Sequence, residues 1–289
     1  MIEITFQNHE DAKGLFQYLQ PYFSSSGISE NNILHFEDQH IVKINSNQKE
    51  HVKLVKEVFC QFIIKGKRDD WFRRILQEQY YYEDREEQQQ ILEIIHSILE
   101  GHREDLKSFL KDADVENNVK TAVKEMLHGN ISFSFDSFVK FRMRPLMEQL
   151  AKYVEISIDE YKMEQEYQMF VQTLREFLHN RQAKWNVIHL IMDDGVFFFD
   201  ELFNEFKRAE LTRLIDRKLI SNHPVYVDSV TIAPLLSIAP ETIYLYSDEI
   251  EQPLIRTIQN IFEERLVLCP IDEFYRAKQA YFSLANKKI

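Results

Sequence analysis

The sequence predicts an α+β protein that is mostly helical. Three observations predict it. Short apolar runs with strand-like alternation open the chain. Three wide apolar stripes at helical spacing occupy the middle. A hairpin signal and a strand-helix-strand pattern close it.

Residues 1–64 read as a small α+β domain of order β-α-β-β-α. Ile2, Ile4 and Phe6 alternate like a strand. Asn8 can cap a helix carrying Ala12, Leu15, Phe16 and Leu19, which is expected to stop before Pro21. Ser24 to Gly27 reads as a loop. Ile33–Phe36 and His40–Ile44 read as strands around Glu37-Asp38-Gln39, and Asn45 or Ser46 starts a helix with Val52, Val55, Phe59 and Ile63 on one face.

Residues 65–184 read as a helical domain. Ile91, Leu92, Ile94, Ile95, Ile98 and Leu99 form the first stripe, with Gly101 at the position of a helix-ending glycine. Val115, Val119, Ala122, Val123, Met126 and Leu127 form the second, closed by Gly129. Tyr161, Tyr167, Phe170, Val171, Leu174, Phe177 and Leu178 form the third, with Asn180 after it.

Residues 185–289 read as an α/β domain. Val187–Met192, the turn Asp193-Asp194-Gly195 and Val196–Phe199 make a hairpin. Helices are expected over Leu202–Leu219 and Asp228–Ile238. Ile243–Tyr246, Pro253–Phe262 and Arg265–Cys269 suggest a β-α-β crossover with parallel strands. A last helix covers Glu273–Leu284.

Composition excludes some functions. Only 6 of 289 residues are glycine, none close enough to another to build a phosphate-cradling loop. Gly14 alone has no evident turn or helix-end role. The net charge of −12 disfavours nucleic acid and anionic membrane as partners. No apolar run approaches the ~20 residues of a membrane span, and no secretory signal is visible. The 2 cysteines, Cys60 and Cys269, suit a reduced cytoplasmic protein. Each reads first as a packing thiol.

Few constellations carry chemistry. Glu93/His96, Glu125/His128 and Glu176/His179 share the spacing by which helical bundles hold paired metal ions. Helix-end placement of the histidines is the simpler reading, and no metal or other cofactor is expected. A basic cluster, Lys65, Lys67, Arg68, Arg73 and Arg74 around Trp71 and Phe72, reads as a helix face paired with Asp69, Asp70 and Glu78. A second, Lys140, Arg142 and Arg144, is interleaved with Phe141 and Met143. Pro145 is expected to kink or restart its helix. Arg142 is expected to be partly buried and paired to a carboxylate, with a binding site as the alternative.

Phe138-Val139-Lys140-Phe141-Arg142-Met143, Glu166-Tyr167-Gln168-Met169-Phe170, Val187-Ile188-His189-Leu190 and Ser237-Ile238-Ala239-Pro240-Glu241 resemble the YtxC-like sporulation protein family of spore-forming Gram-positive bacteria. The resemblance spans roughly residues 80–270. It implies a cytoplasmic protein of sporulating cells and brings no activity, ligand or catalytic residue. The candidate binding residues are therefore Arg142, His189, Lys140 and Arg144, with no catalytic or metal-ligating set. For His189 a place on a sheet face or in a core is the simpler reading. The leading expectation is a non-enzymatic protein that binds another protein. A nucleic-acid-binding regulator using the basic clusters and a small-molecule or metal enzyme are the alternatives.

Overall fold

The computed structural model describes residues 1–24, 33–46, 48–110, 115–128, 130–179, 181–216 and 228–285. The chain divides into two units, Met1–Met163 and Glu164–Ile289. Helix dominates both, with one four-stranded mixed sheet in each.

In the first unit β1 (Ile2–Thr5) pairs antiparallel with β3 (Ile41–Ile44), which pairs antiparallel with β2 (Leu34–Glu37). Asp38 and Gln39, at φ 48° and 61°, make the primed turn between them. α1 (His9–Ser24) starts as expected, because Asn8 Oδ1 accepts the Glu10 N–H at 2.9 Å. It does not stop before Pro21, which lies inside its last turn. Phe23 in that turn is 1% exposed. Its burial is worth roughly 2 kcal/mol, more than the ~1 kcal/mol of one missing backbone hydrogen bond.

α2 (Lys49–Gln61) runs through a π turn, Phe62–Gly66, into α3 (Arg68–Tyr80). α4 (Arg85–Leu99), α5 (Glu104–Lys107) and α6 (Val115–Met126) follow. Gly101 sits at φ 83° after α4. His102 N–H reaches Ser97 O at 2.9 Å and Gly101 N–H reaches Ile98 O at 3.1 Å, a Schellman end as expected. Of the expected Ser24–Gly27 loop, Ser24 is instead the last residue of α1, and the rest, with the roles of Gly129 and Asn180, lies outside the described residues.

The middle of the chain is not wholly helical. β4 (Ile131–Ser134) pairs parallel with β1, Ile2 opposite Ile131 and Thr5 opposite Ser134, giving the sheet order β2-β3-β1-β4. The Met1 amine donates to Asn130 Oδ1 at 2.6 Å and Gln7 N–H to Asp136 Oδ2 at 2.9 Å. α7 (Phe135–Arg142) and α8 (Arg144–His179) follow.

Phenylalanine fills this unit's core. Phe59, fully buried, meets Phe133, Phe135 and Phe138 with ring centroids 6.2, 6.0 and 5.8 Å away. Gly14 belongs to the same packing: a Cβ there would stand 3.3 Å from the Phe62 ring, so α1 comes close because the residue has no side chain.

In the second unit β5 (Val187–Met192) and β6 (Val196–Phe199) form the expected hairpin. β7 (Thr242–Tyr246) lies parallel to β5, and β8 (Leu266–Cys269) parallel to β7, in the order β6-β5-β7-β8. The unit's described helices include α9 (Arg208–Leu214), α10 (Ile232–Ile238) and α11 (Pro253–Phe262), and α12 (Ile271–Ala285) ends the described chain.

α9 starts six residues later than the expected helix at Leu202, because the Asp200 carboxylate accepts the Leu202 and Asn204 N–H groups at 2.9 and 2.8 Å and folds that stretch into a turn. The remainder of that expected helix, from residue 217, lies outside the described residues. α10 starts at Ile232 rather than Asp228, whose carboxylate accepts the Thr231 and Ile232 N–H groups from outside the helix. Ala239 at φ 51° and then Pro240 end it.

One face of the β5–β7 pair, Ile188, Leu190, Ile243 and Leu245, packs with α10, α11 and the last turns of α8. The other face, with Ile191 and Tyr246, meets Phe274 of α12. Among the described residues no helix is long and apolar enough to cross a membrane.

Candidate functional site

His189 follows from strand alternation. β5 sends Ile188 and Leu190 into one core and His189 to the opposite face. There its ring stacks on Phe203 at 4.4 Å, Tyr244 at 5.4 Å and Tyr246 at 5.8 Å, with Phe274 edge-on at 6.3 Å. Nδ1 and the Tyr246 hydroxyl oxygen share a hydrogen bond of 2.9 Å. His189 is 7% exposed. Burial pushes its pKa below the ordinary imidazole value, against a smaller opposite pull from Asp200. Burial, with Cys269 and Tyr244 adding, pushes the Tyr246 phenol well above its ordinary value. The pair is therefore neutral near pH 7.

This has a pH consequence. The unfolded chain takes up the His189 proton near pH 6.5 and the folded chain only at lower pH. Folded stability should fall as pH drops through about 6.5 and level off below the folded pKa. Denaturant titrations of wild type and His189→Phe at a series of pH values check this. The gap between the two curves must change over that window in the direction that penalises wild type in acid; a constant gap contradicts it.

The second basic cluster sits where α7 meets α8. Ser134 Oγ accepts the Ser137 N–H at 3.3 Å and caps α7. α7 ends at Arg142, and Pro145 lies in the first turn of α8, as expected of a residue that restarts a helix. Met143, between them, is 2% exposed. Arg142 is not partly buried. It shares α7 with Phe138, four residues earlier, but as the last residue of that helix it extends its guanidinium outward to Glu125. Met143, just past the helix end, takes the inward place.

Arg142 stands 3.7 Å from Glu125 of α6, with the two side chains 63% and 61% exposed. Such a pair adds little stability. Phe141 is 73% exposed, with Lys140 Nζ 5.8 Å from its ring centroid.

Lys140, Phe141 and Arg144 line one groove of about 660 Å³ with Trp71, Arg74, Asp11, Glu78 and Asp136. The groove thus joins Arg74 of the first basic cluster to two members of the second. Its charges balance, three cations against three carboxylates. Arg142 faces Glu125 instead, and His189 belongs to the other unit. In the first cluster Trp71 and Phe72 are core residues, so they present no stacking surface. Arg74 Nε bonds Glu78 at 3.0 Å, and Lys67 pairs with Asp11 and Asp70.

Of the Glu-x-x-His pairs, His96 is engaged by Asp69 at 3.1 Å, not by Glu93. Among the described residues no group of three or more His, Cys, Asp or Glu could hold one metal ion. Burial pushes the thiols of Cys60 and Cys269 up, Glu273 adding to the second, so both are poor nucleophiles. One feature is hidden in the linear sequence, a row of lysines along α2 and α6. Its signal was the spacing Lys49, Lys53, Lys56 and Lys120, Lys124.

The model of the YtxC-like family matches residues 53–267. Among curated proteins, the chain is similar to the uncharacterized protein YtxC of Bacillus subtilis (strain 168). The two are 33% identical over 280 residues, 96% of this chain and 97% of that one. No solved structure matches it.

Proposed function

We propose a binding role for this chain, which belongs to the YtxC-like family: it is a non-enzymatic cytoplasmic protein of sporulating cells that engages another protein through the α7–α8 elbow. Phe141 carries the reading. A large aromatic ring stands 73% exposed, flanked in sequence by Lys140, Arg142 and Arg144. Covering such a ring is worth roughly 2 kcal/mol. Aromatic and arginine side chains are the residues that dominate protein interfaces. The balanced charges of the adjoining groove suit a protein surface carrying both signs better than a run of phosphates. The sporulation setting comes from the family resemblance.

The test uses the purified chain as bait in extracts of sporulating cells. Wild type should retain a specific protein that Phe141→Ala and Arg144→Glu both lose, with the melting of all three chains alike. An unchanged captured set contradicts the elbow. Retention that a single-stranded oligonucleotide displaces, and that falls steeply with salt, would favour nucleic acid instead.

A further inference from the structure

A second surface of the first unit has a different character. α2 and α6 pack side by side, and between them runs a groove of about 770 Å³. Val52, Cys60 and Ile64 form its apolar floor. Six lysines rim it: Lys49, Lys53, Lys56, Lys65, Lys120 and Lys124. Only Glu57 and Glu116 oppose them, in a chain whose net charge is −12.

Those two carboxylates do little to neutralise the rim. Lys53 stands 3.9 Å from Glu57 and Lys120 3.2 Å from Glu116, all four side chains at least 60% exposed. Among the described residues Lys49, Lys65 and Lys124 have no carboxylate within ion-pair reach. Six like charges around an apolar trough repel one another. An acidic, apolar-faced occupant would relieve both the repulsion and the exposed floor.

We infer that this groove docks an acidic amphipathic helix of a partner protein. Its length fits: Lys49 to Lys65 spans about 24 Å at 1.5 Å per residue, the length of a four-turn helix. A third helix seated between two packed helices places an apolar stripe on the floor and acidic flanks against the lysines. Nucleic acid fits less well. The floor has no aromatic ring for a base to stack on, and the rim has no arginine for bidentate phosphate contact. An anionic bilayer fits less well too, because its surface cannot enter a trough below the lysine heads.

The groove shares no lining residue with the elbow groove, so either surface can lose its partner without the other. The test is fluorescence anisotropy of a labelled four-turn peptide, leucines at i, i+3, i+4 and i+7 with glutamates on both flanks, titrated with the full chain. It should bind at low salt and weaken with salt. A peptide of the same composition in scrambled order should bind at least about tenfold more weakly, since only the ordered one has an apolar face.

The triple variant Lys53→Glu, Lys56→Glu, Lys120→Glu should lose the ordered peptide and keep its helical circular dichroism. Phe141→Ala should bind it like wild type. Equal binding of ordered and scrambled peptides, or unchanged binding by the triple variant, overturns the proposal. So does preferential binding of phosphatidylglycerol vesicles or single-stranded DNA over the peptide.

Discussion

Phe59→Ala should destabilise the protein by about 3–5 kcal/mol. Phe59 is fully buried at the centre of the phenylalanine cluster. It touches rings from β4 and α7, with Phe133 and Phe138 themselves 6.0 Å apart. Truncation removes the transfer energy of the ring and leaves a cavity that three other rings cannot fill without moving α7. The paired control is Phe141→Ala. That ring is 73% exposed, and its loss should change stability by no more than about 0.5 kcal/mol. Denaturant unfolding of both variants measures the contrast. Similar losses would mean that the elbow is packed rather than free.

Asp11→Ala should cost about 3 kcal/mol, more than Lys67→Met at that pair. The Lys67 side chain is 8% exposed, held by Asp11 at 2.7 Å and Asp70 at 2.5 Å. It ties α1 to the start of α3. Removing Asp11 leaves a buried ammonium with one partner, and that partner is itself 64% exposed. Replacing Lys67 by methionine removes the buried charge, keeps the stem's packing and frees Asp11 to hydrate, a loss of about 1 kcal/mol.

Burial opposes the charge on Lys67, but the hydrogen bonds to Asp11 and then Asp70 outweigh it, and its pKa is raised. The pair's contribution is therefore complete below the ordinary lysine value near 10.4 and is lost as pH rises through the folded value. Above neutral pH the stability gap between wild type and Lys67→Met should narrow only in strong alkali. A gap that closes between pH 5 and pH 8 would contradict the assignment.

The elements legible in the sequence are those set by local rules. Asn8 caps α1, Gly101 ends α4, and Asp193-Asp194-Gly195 turns the hairpin, each through bonds within a few residues. β4 was not legible, because its four residues become a strand only by pairing with β1, 129 positions away. The length of α8 was hidden as well. Its inward residues are Leu146, Leu150, Val154 and Ile158 in the first unit and Val171, Leu174 and Leu178 in the second. Between them Met163 and Met169 are exposed, so no single stripe marks the whole helix.

The elbow was half legible. Pro145 announces the break, but helical spacing alone places Phe141 and Arg142 near Phe138 and does not show that Met143, at the break, takes the inward place. The lysine groove escaped because its rim comes from two helices whose lysines look neutralised by nearby glutamates in the linear text. Only the side-by-side packing of α2 and α6 collects them.

The central claim is that the α7–α8 elbow meets another protein. Site-specific photo-crosslinking in sporulating cells tests it most directly, with a photoreactive phenylalanine at position 141 and, as control, at position 81, where Tyr81 is equally solvent-facing at 81% exposure. The account predicts one discrete protein adduct at 141, absent at 81 and lost when Arg144→Glu is added. Adducts of the same pattern at both positions, or none at 141, would contradict it.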